Sequence, residues 1–141
     1  MCIGGIRGIY FFKEILMEQI IYKSEAYKII GACMEVYNTL GYGFLEIVYK
    51  DAMEIEFLQR DLNYKREDEH CIDYKGHLLK HHFFADFTLY DEIIVEVKAN
   101  KDGITDEVVA QTLNYLKASG LRLALIINFG KTSLEYKRLV Y

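Results

Sequence analysis

Two apolar runs, "IIVEV" (Ile93 to Val97) and "LRLALIINF" (Leu121 to Phe129), flank one stretch of helical pattern, "TDEVVAQTLNYLKASG". This order constrains the fold more than any other feature of the chain. The second run has few polar breaks, the mark of a strand covered on both faces. A helix joining two strands of one sheet is a crossover, packed on a face of the sheet. The helix carries its own boundary signals: Thr105 as N-cap, acids in the first turn and Gly120 as the stop. "LEYKRLVY" then reads as a last strand at an edge.

Upstream, Ser24 to Leu40 has apolar residues at Ala26, Ile29, Ile30, Cys33, Met34 and Tyr37, which is helical spacing with Ser24 as N-cap. "GYG" at Gly41 to Gly43 ends that helix. "FLEIVYKDAMEIEFLQR" predicts a second helix, with Leu45, Val48, Ala52, Ile55 and Leu58 as its apolar stripe. From Leu62 to Lys98 the period shortens to that of strands. Turns at Lys75-Gly76 and Tyr90-Asp91-Glu92 divide the region into three. The predicted fold is α/β, a mixed sheet flanked by helices in the order α-α-β-β-β-α-β-β. The 141 residues suit one domain. Residues 24–141 are expected to form it, with 1–23 an N-terminal extension and Met17 an alternative start. Charges at Arg7, Lys13, Glu14 and Glu18 leave that extension no apolar run long enough for a membrane span, and it lacks a signal-peptide cleavage site.

Three charged residues interrupt this apolar sheet: Asp86, Glu96 and Lys98, within "FFADFTLYDEIIVEVKAN". With the turn centred on Asp91, Leu89 faces Ile93, Phe87 faces Val95 and Asp86 faces Glu96. Ala85, Phe87, Leu89, Ile93, Val95 and Val97 then share the core face, and the three charges share the other. Opposed residues have Cβ atoms about 5 Å apart, where two carboxylates repel and one tends to keep a proton. A hard divalent cation, Mg²⁺ or Mn²⁺, removes the conflict. Lys98, two residues beyond Glu96, lies on the same side, where it can orient water or meet charge on a phosphate.

The flanking sequence carries a resemblance. "GFLEIVY" fits G-x-x-E-x-x-Y at Gly43, Glu46 and Tyr49, and "AQTLNYLKASGLRLALIINFG" and "KRLV" follow in order. Together with D…E-x-K these motifs resemble the GxxExxY protein family, assigned to the PD-(D/E)XK nuclease superfamily, from about Ser24 to the C-terminus. The resemblance implies a restriction-endonuclease-like core and a Mg²⁺-dependent (or Mn²⁺-dependent) nuclease. It implies that Glu46, Asp86, Glu96 and Val97 hold the metal. Lys98, Glu96, Asp86 and Gln111 would carry the catalysis. Tyr115, with Gln111 in the Q-x-x-x-Y signature, would face the substrate. Tyr42 and Ala85 stand where proline is expected.

Lys131, Lys137 and Arg138 are candidate phosphate contacts, Lys131 foremost. His70, His77, His81 and His82 have no zinc-like spacing and read as strand-surface residues. Tyr22, Tyr27, Tyr37, Tyr42 and Tyr49 read as packing residues with surface hydroxyls. Three scattered cysteines suit reduced thiols in a cytoplasmic protein. The formal net charge of −4 argues against avid non-specific nucleic-acid binding. It keeps two rivals alive: a non-catalytic module binding nucleic acid or protein, and a phosphoesterase for small nucleotides. The expected partner is nucleic acid, DNA first, with a homodimer or a protein partner supplying specificity in so small a chain.

Overall fold

The computed structural model describes residues 21–141, so most of the proposed extension lies outside the described residues. Two helices come first, α1 (Lys23–Leu40) and α2 (Glu46–Gln59). Strands β1 (Tyr64–His70), β2 (Asp73–Tyr74), β3 (His77–Leu78), β4 (Phe83–Leu89) and β5 (Ile93–Lys98) follow, then α3 (Asp106–Ser119), β6 (Leu123–Asn128) and β7 (Glu135–Val140). The main sheet has the order β1-β4-β5-β6-β7. The β5–β6 pair, joined through α3, is parallel and the other pairs are antiparallel. The crossover from β5 through α3 to β6 and the mixed sheet are as the sequence predicts, and β7 lies at an edge. The three expected strands between Leu62 and Lys98 are five. The Lys75-Gly76 turn, with both residues at positive φ, closes a separate hairpin of β2 and β3.

The sheet has a core on each face. One, under α1 and α2, contains Ile29, Cys33, Tyr49, Met53, Phe57, Phe87, Leu89, Val95, Leu125 and Ile127. The other, under α3, contains Phe83, Ala85, Ile94, Leu116, Ala124 and Ile126. Thr105 caps α3, accepting the Val108 N–H at 3.3 Å, and Gly120 ends it in the left-handed region, both as expected.

Two helix readings need correction. The N-cap of α1 is Tyr22, with left-handed backbone and no side-chain cap; Ser24 lies inside the helix. In α2 the buried residues are Tyr49, Lys50, Met53 and Phe57, while Leu45, Ile55 and Leu58 are exposed. Both stripes have helical spacing. The winning one carries the two aromatics, which have more area to bury, and a lysine that finds partners in the sheet.

Tyr49 also departs from expectation. It is buried, its hydroxyl donates to the Gly41 carbonyl at 2.7 Å and accepts the Phe44 N–H at 3.2 Å, and its ring stacks on Phe129 at 4.4 Å. The tyrosine of the G-x-x-E-x-x-Y pattern therefore ties down the loop that opens α2. The Tyr37 hydroxyl likewise donates to a backbone carbonyl, that of Lys131, at 2.7 Å.

At the carboxyl ends of the parallel strands, Asn128 accepts the Asn100 N–H at 2.8 Å and donates to the Asn100 carbonyl at 2.9 Å. Gly130 passes against the same residue: a Cβ there would lie 2.4 Å from backbone atoms of Asn100. Gly130→Ala should therefore destabilise the domain by about 1–3 kcal/mol, the scale of overpacking. Urea unfolding of the two proteins measures it, and an unchanged midpoint would count against the close approach.

Candidate active site

The β4–β5 ladder runs from Leu89↔Ile93 to Phe87↔Val95 and stops. Asp86 and Glu96 come next, and no ladder pair joins them. The Asp86 side chain takes over instead: Oδ2 accepts the Val97 N–H at 2.7 Å. The Glu96 side chain answers, with Oε1 accepting the Asp86 N–H at 3.3 Å. The two carboxylates thus take backbone donors that a regular ladder would pair with carbonyls, and the strands part around them.

The core faces change here as well. Phe87 and Leu89 pack under α1 and α2, whereas Phe83 and Ala85 pack under α3. The predicted single core face from Ala85 through Leu89 is therefore wrong at Ala85. On the other side, β1 pairs Arg66 with Phe87 and Asp68 with Ala85, skipping Glu67 opposite Asp86. Glu67 has φ 51°, unusual for a strand residue other than glycine. Such a conformation costs of the order of 1–3 kcal/mol and persists where the surroundings enforce it. Both strands rotate at this level, so Asp86 meets α2 residues as well as Glu96.

The α2 residue it meets is Lys50, which the sequence reading did not single out. Its Nζ donates to Asp86 Oδ1 at 3.0 Å and also to Glu67 Oε1. Burial depresses the Lys50 ammonium, but the hydrogen bonds to Glu67 and Asp86 outweigh it, and its pKa lies above the usual value.

Glu96 is buried and its pKa is pushed up to about 8, first by burial and then by the charge of Asp86 beside it. The Asp86 N–H and Lys98 pull the other way, less strongly. With its pKa near 8, Glu96 keeps its proton at neutral pH. The expected conflict between two carboxylates is present, reached through side-chain contact rather than a paired register.

Lys98 is half-buried at the end of β5, pairs with Asn128 in the parallel ladder and lies near enough to Glu96 to lower its pKa. Tyr115 stacks on Phe83 with ring centroids 4.2 Å apart. Its pKa is raised by burial, then by the charges of Glu96 and Asp86. Gln111, one turn earlier, is exposed, and its side chain makes no hydrogen bond among the described residues.

Two predicted residues are not gathered in. Glu46 is exposed at the start of α2, beside Ala99, and makes no hydrogen bond or ion pair among the described residues. Lys131 is exposed and paired with Glu135 at 3.5 Å. Among the described residues no group of three or more His, Cys, Asp or Glu side chains is placed to hold a metal. Asp86 and Glu96 alone still suit a hard divalent cation, which typically takes one or two carboxylates and fills its shell with water and phosphate. The proton kept on Glu96 is the sign of the positive charge such a pair lacks.

A family model described as the PD-(D/E)XK nuclease superfamily matches residues 23–139. The chain belongs to that superfamily. Its members are usually hydrolytic nucleases that use divalent metals. A solved structure of a protein designated SSO0001 is similar in fold, with a TM-score of 0.51 and 15% identity. The match covers 96% of this chain and 61% of that one, so this chain spans less than two thirds of its neighbour. Among curated proteins no match is found. No helix among the described residues is long and apolar enough to cross a membrane.

The pKa of Glu96 has a thermodynamic consequence in metal-free protein. The folded state holds a proton that the unfolded state, with an ordinary carboxylate near 4.5, releases earlier. This contribution to stability is complete below about pH 4.5 and is lost as pH rises through about 8. Melts in a chelating buffer should show wild type losing stability from pH 5 to pH 9 more steeply than Glu96→Gln, which cannot titrate. Parallel profiles would contradict the raised pKa.

Proposed function

We propose that this protein is a metal-dependent nuclease of the GxxExxY group, hydrolysing phosphodiester bonds of nucleic acid, DNA first. The observation that carries the reading is the Asp86–Glu96 pair with Lys98 on the next same-side position of β5. Two carboxyl groups this close in a sheet leave one of them protonated, and the pair makes sense where a cation and an anionic phosphate are to be bound.

In this reading Asp86 and Glu96 hold Mg²⁺ or Mn²⁺, with Val97 between Glu96 and Lys98 adding a ligand and Glu46 reaching in from the start of α2. The bound ion supplies Lewis acidity toward the phosphate and a more acidic water. Lys98 would orient the attacking water and meet negative charge developing on the phosphate oxygens. Glu96 would hold the ion as a carboxylate, its proton passing to solvent water. Tyr115, rigid against Phe83, and Gln111 at the helix surface form the substrate-facing wall. Lys131 contacts a phosphate further along the strand, leaving Glu135 to do so.

The acidic net charge favours one rival, a non-catalytic binding module on the same fold. Purified wild type should cleave DNA in Mg²⁺ or Mn²⁺. Alanine at Asp86, Glu96 or Lys98 should each lower the rate by at least about a hundredfold, on the scale of losing a metal or an electrostatic group. Circular dichroism should show the folds intact. Undiminished cleavage by Asp86→Ala would sink the assignment. Absence of cleavage together with no Mg²⁺-dependent or Mn²⁺-dependent rise in melting temperature would favour the binding module.

A further inference from the structure

Lys50 is the buried charge that the nuclease reading leaves without a task. It is 7% exposed, and no other lysine among the described residues is buried. Removing an ammonium from water is tolerated only where carboxylates compensate it. Its two partners differ in kind. Asp86, with a side chain 18% exposed, has its other oxygen fixed by the Val97 N–H. Glu67, with a side chain 52% exposed, makes no other side-chain hydrogen bond or ion pair among the described residues and reaches Lys50 from a left-handed backbone.

We propose that Lys50 is an internal counter-ion for Asp86 that an incoming divalent cation displaces, and that Glu67 is the partner that keeps it. The inference rests on reading Asp86 as a metal ligand. With Oδ2 held by the Val97 N–H and Oδ1 by Lys50, neither oxygen of Asp86 is without a donor. A divalent cation approaching Oδ1 meets an ammonium 3.0 Å from that atom, and the two repel. Lys50 already touches Glu67, so it can leave Asp86 without becoming an unpaired buried charge. Glu67 is half in water, so it holds the ammonium without needing a second ligand. A simple bridge between α2 and the sheet would need neither the contact to Asp86 nor the left-handed backbone at Glu67.

The test is Mn²⁺ titration calorimetry on metal-free wild type, Lys50→Gln and Glu67→Gln. Glutamine at position 50 keeps a hydrogen-bond donor and removes the charge. Lys50→Gln should bind Mn²⁺ about tenfold more tightly than wild type, as expected for removing a unit charge a few ångströms from the ion. Glu67→Gln should bind it several-fold more weakly, because Lys50 then has Asp86 alone. Equal affinities with lowered melting temperatures would make Lys50 a structural bridge and overturn the proposal. So would weaker binding by Lys50→Gln, or no binding by either wild type or Lys50→Gln. If Lys50→Gln does not fold, Glu67→Gln decides alone, since weaker binding supports the proposal and equal or tighter binding overturns it. The nuclease reading is judged separately, by cleavage in wild type and its loss in Glu96→Ala.

Discussion

Two carboxyl groups meet where β4 and β5 part, and the geometry around them follows from that meeting. Asp86 spends one oxygen on the Val97 N–H, which would otherwise be an orphan donor in the sheet. Glu96 accepts the Asp86 N–H, the matching donor on the other strand. Each acid therefore closes the gap that the pair opens. With backbone donors satisfied by side chains, β4 is released from the pleat long enough to change faces. Phe83 and Ala85 can then serve the core under α3, while Phe87 and Leu89 serve the core under α1 and α2. The acids are not placed on a finished sheet; they are part of how the sheet is built at this level.

The surroundings hold the pair from three sides. Tyr115, stacked on Phe83, stands on the α3 side, and burial in this part of the sheet keeps Glu96 protonated. Lys50 comes from α2, whose first turn is fixed by the Tyr49 hydroxyl between the Gly41 carbonyl and the Phe44 N–H. Asn128 and Gly130 pin the loop beyond Lys98, through Asn100, to the end of β6. Each support is itself held, Tyr115 by stacking on Phe83 and the other two by hydrogen bonds or close contact with backbone, so the charged groups rest on parts of the fold that have little freedom to yield.

Much of this was legible in the sequence, and the failures have identifiable causes. The crossover helix with its caps, the buried run of β6 and the hairpin register at Leu89↔Ile93 and Phe87↔Val95 follow from local pattern, and pattern suffices where neighbours continue it. Extrapolating that register one residue to Asp86 and Glu96 fails because side chains there outcompete the ladder, and alternation assumes that they do not. Lys50 was missed for a related reason. On α2 a lysine at an apolar spacing reads as a solvated neighbour of the stripe, and only the sheet beneath reveals its two acids. Had the aromatics Tyr49 and Phe57 been weighted above the leucines, the correct stripe would have placed Lys50 on the inward face. Glu67 at φ 51° has no local sequence signal, since neither glycine nor asparagine marks the position.

The charge state of this cluster bears on the acidic balance of the whole chain. In metal-free protein Asp86 and Glu67 are negative, Lys50 and Lys98 are positive and Glu96 carries its proton, so the cluster is formally neutral. On the proposed reading, holding a divalent cation and releasing the Glu96 proton leaves it with a net positive charge. The attraction for phosphate is then local, acquired on loading and confined to the end of β5. A chain with a formal net charge of −4 need not present a broad basic face to act on a polyanion. It does need the attraction concentrated where the chemistry occurs, within the few ångströms over which a half-buried charge escapes screening by salt. Acidic balance then disfavours unloaded or non-specific association and leaves the loaded site as the place where phosphate is held.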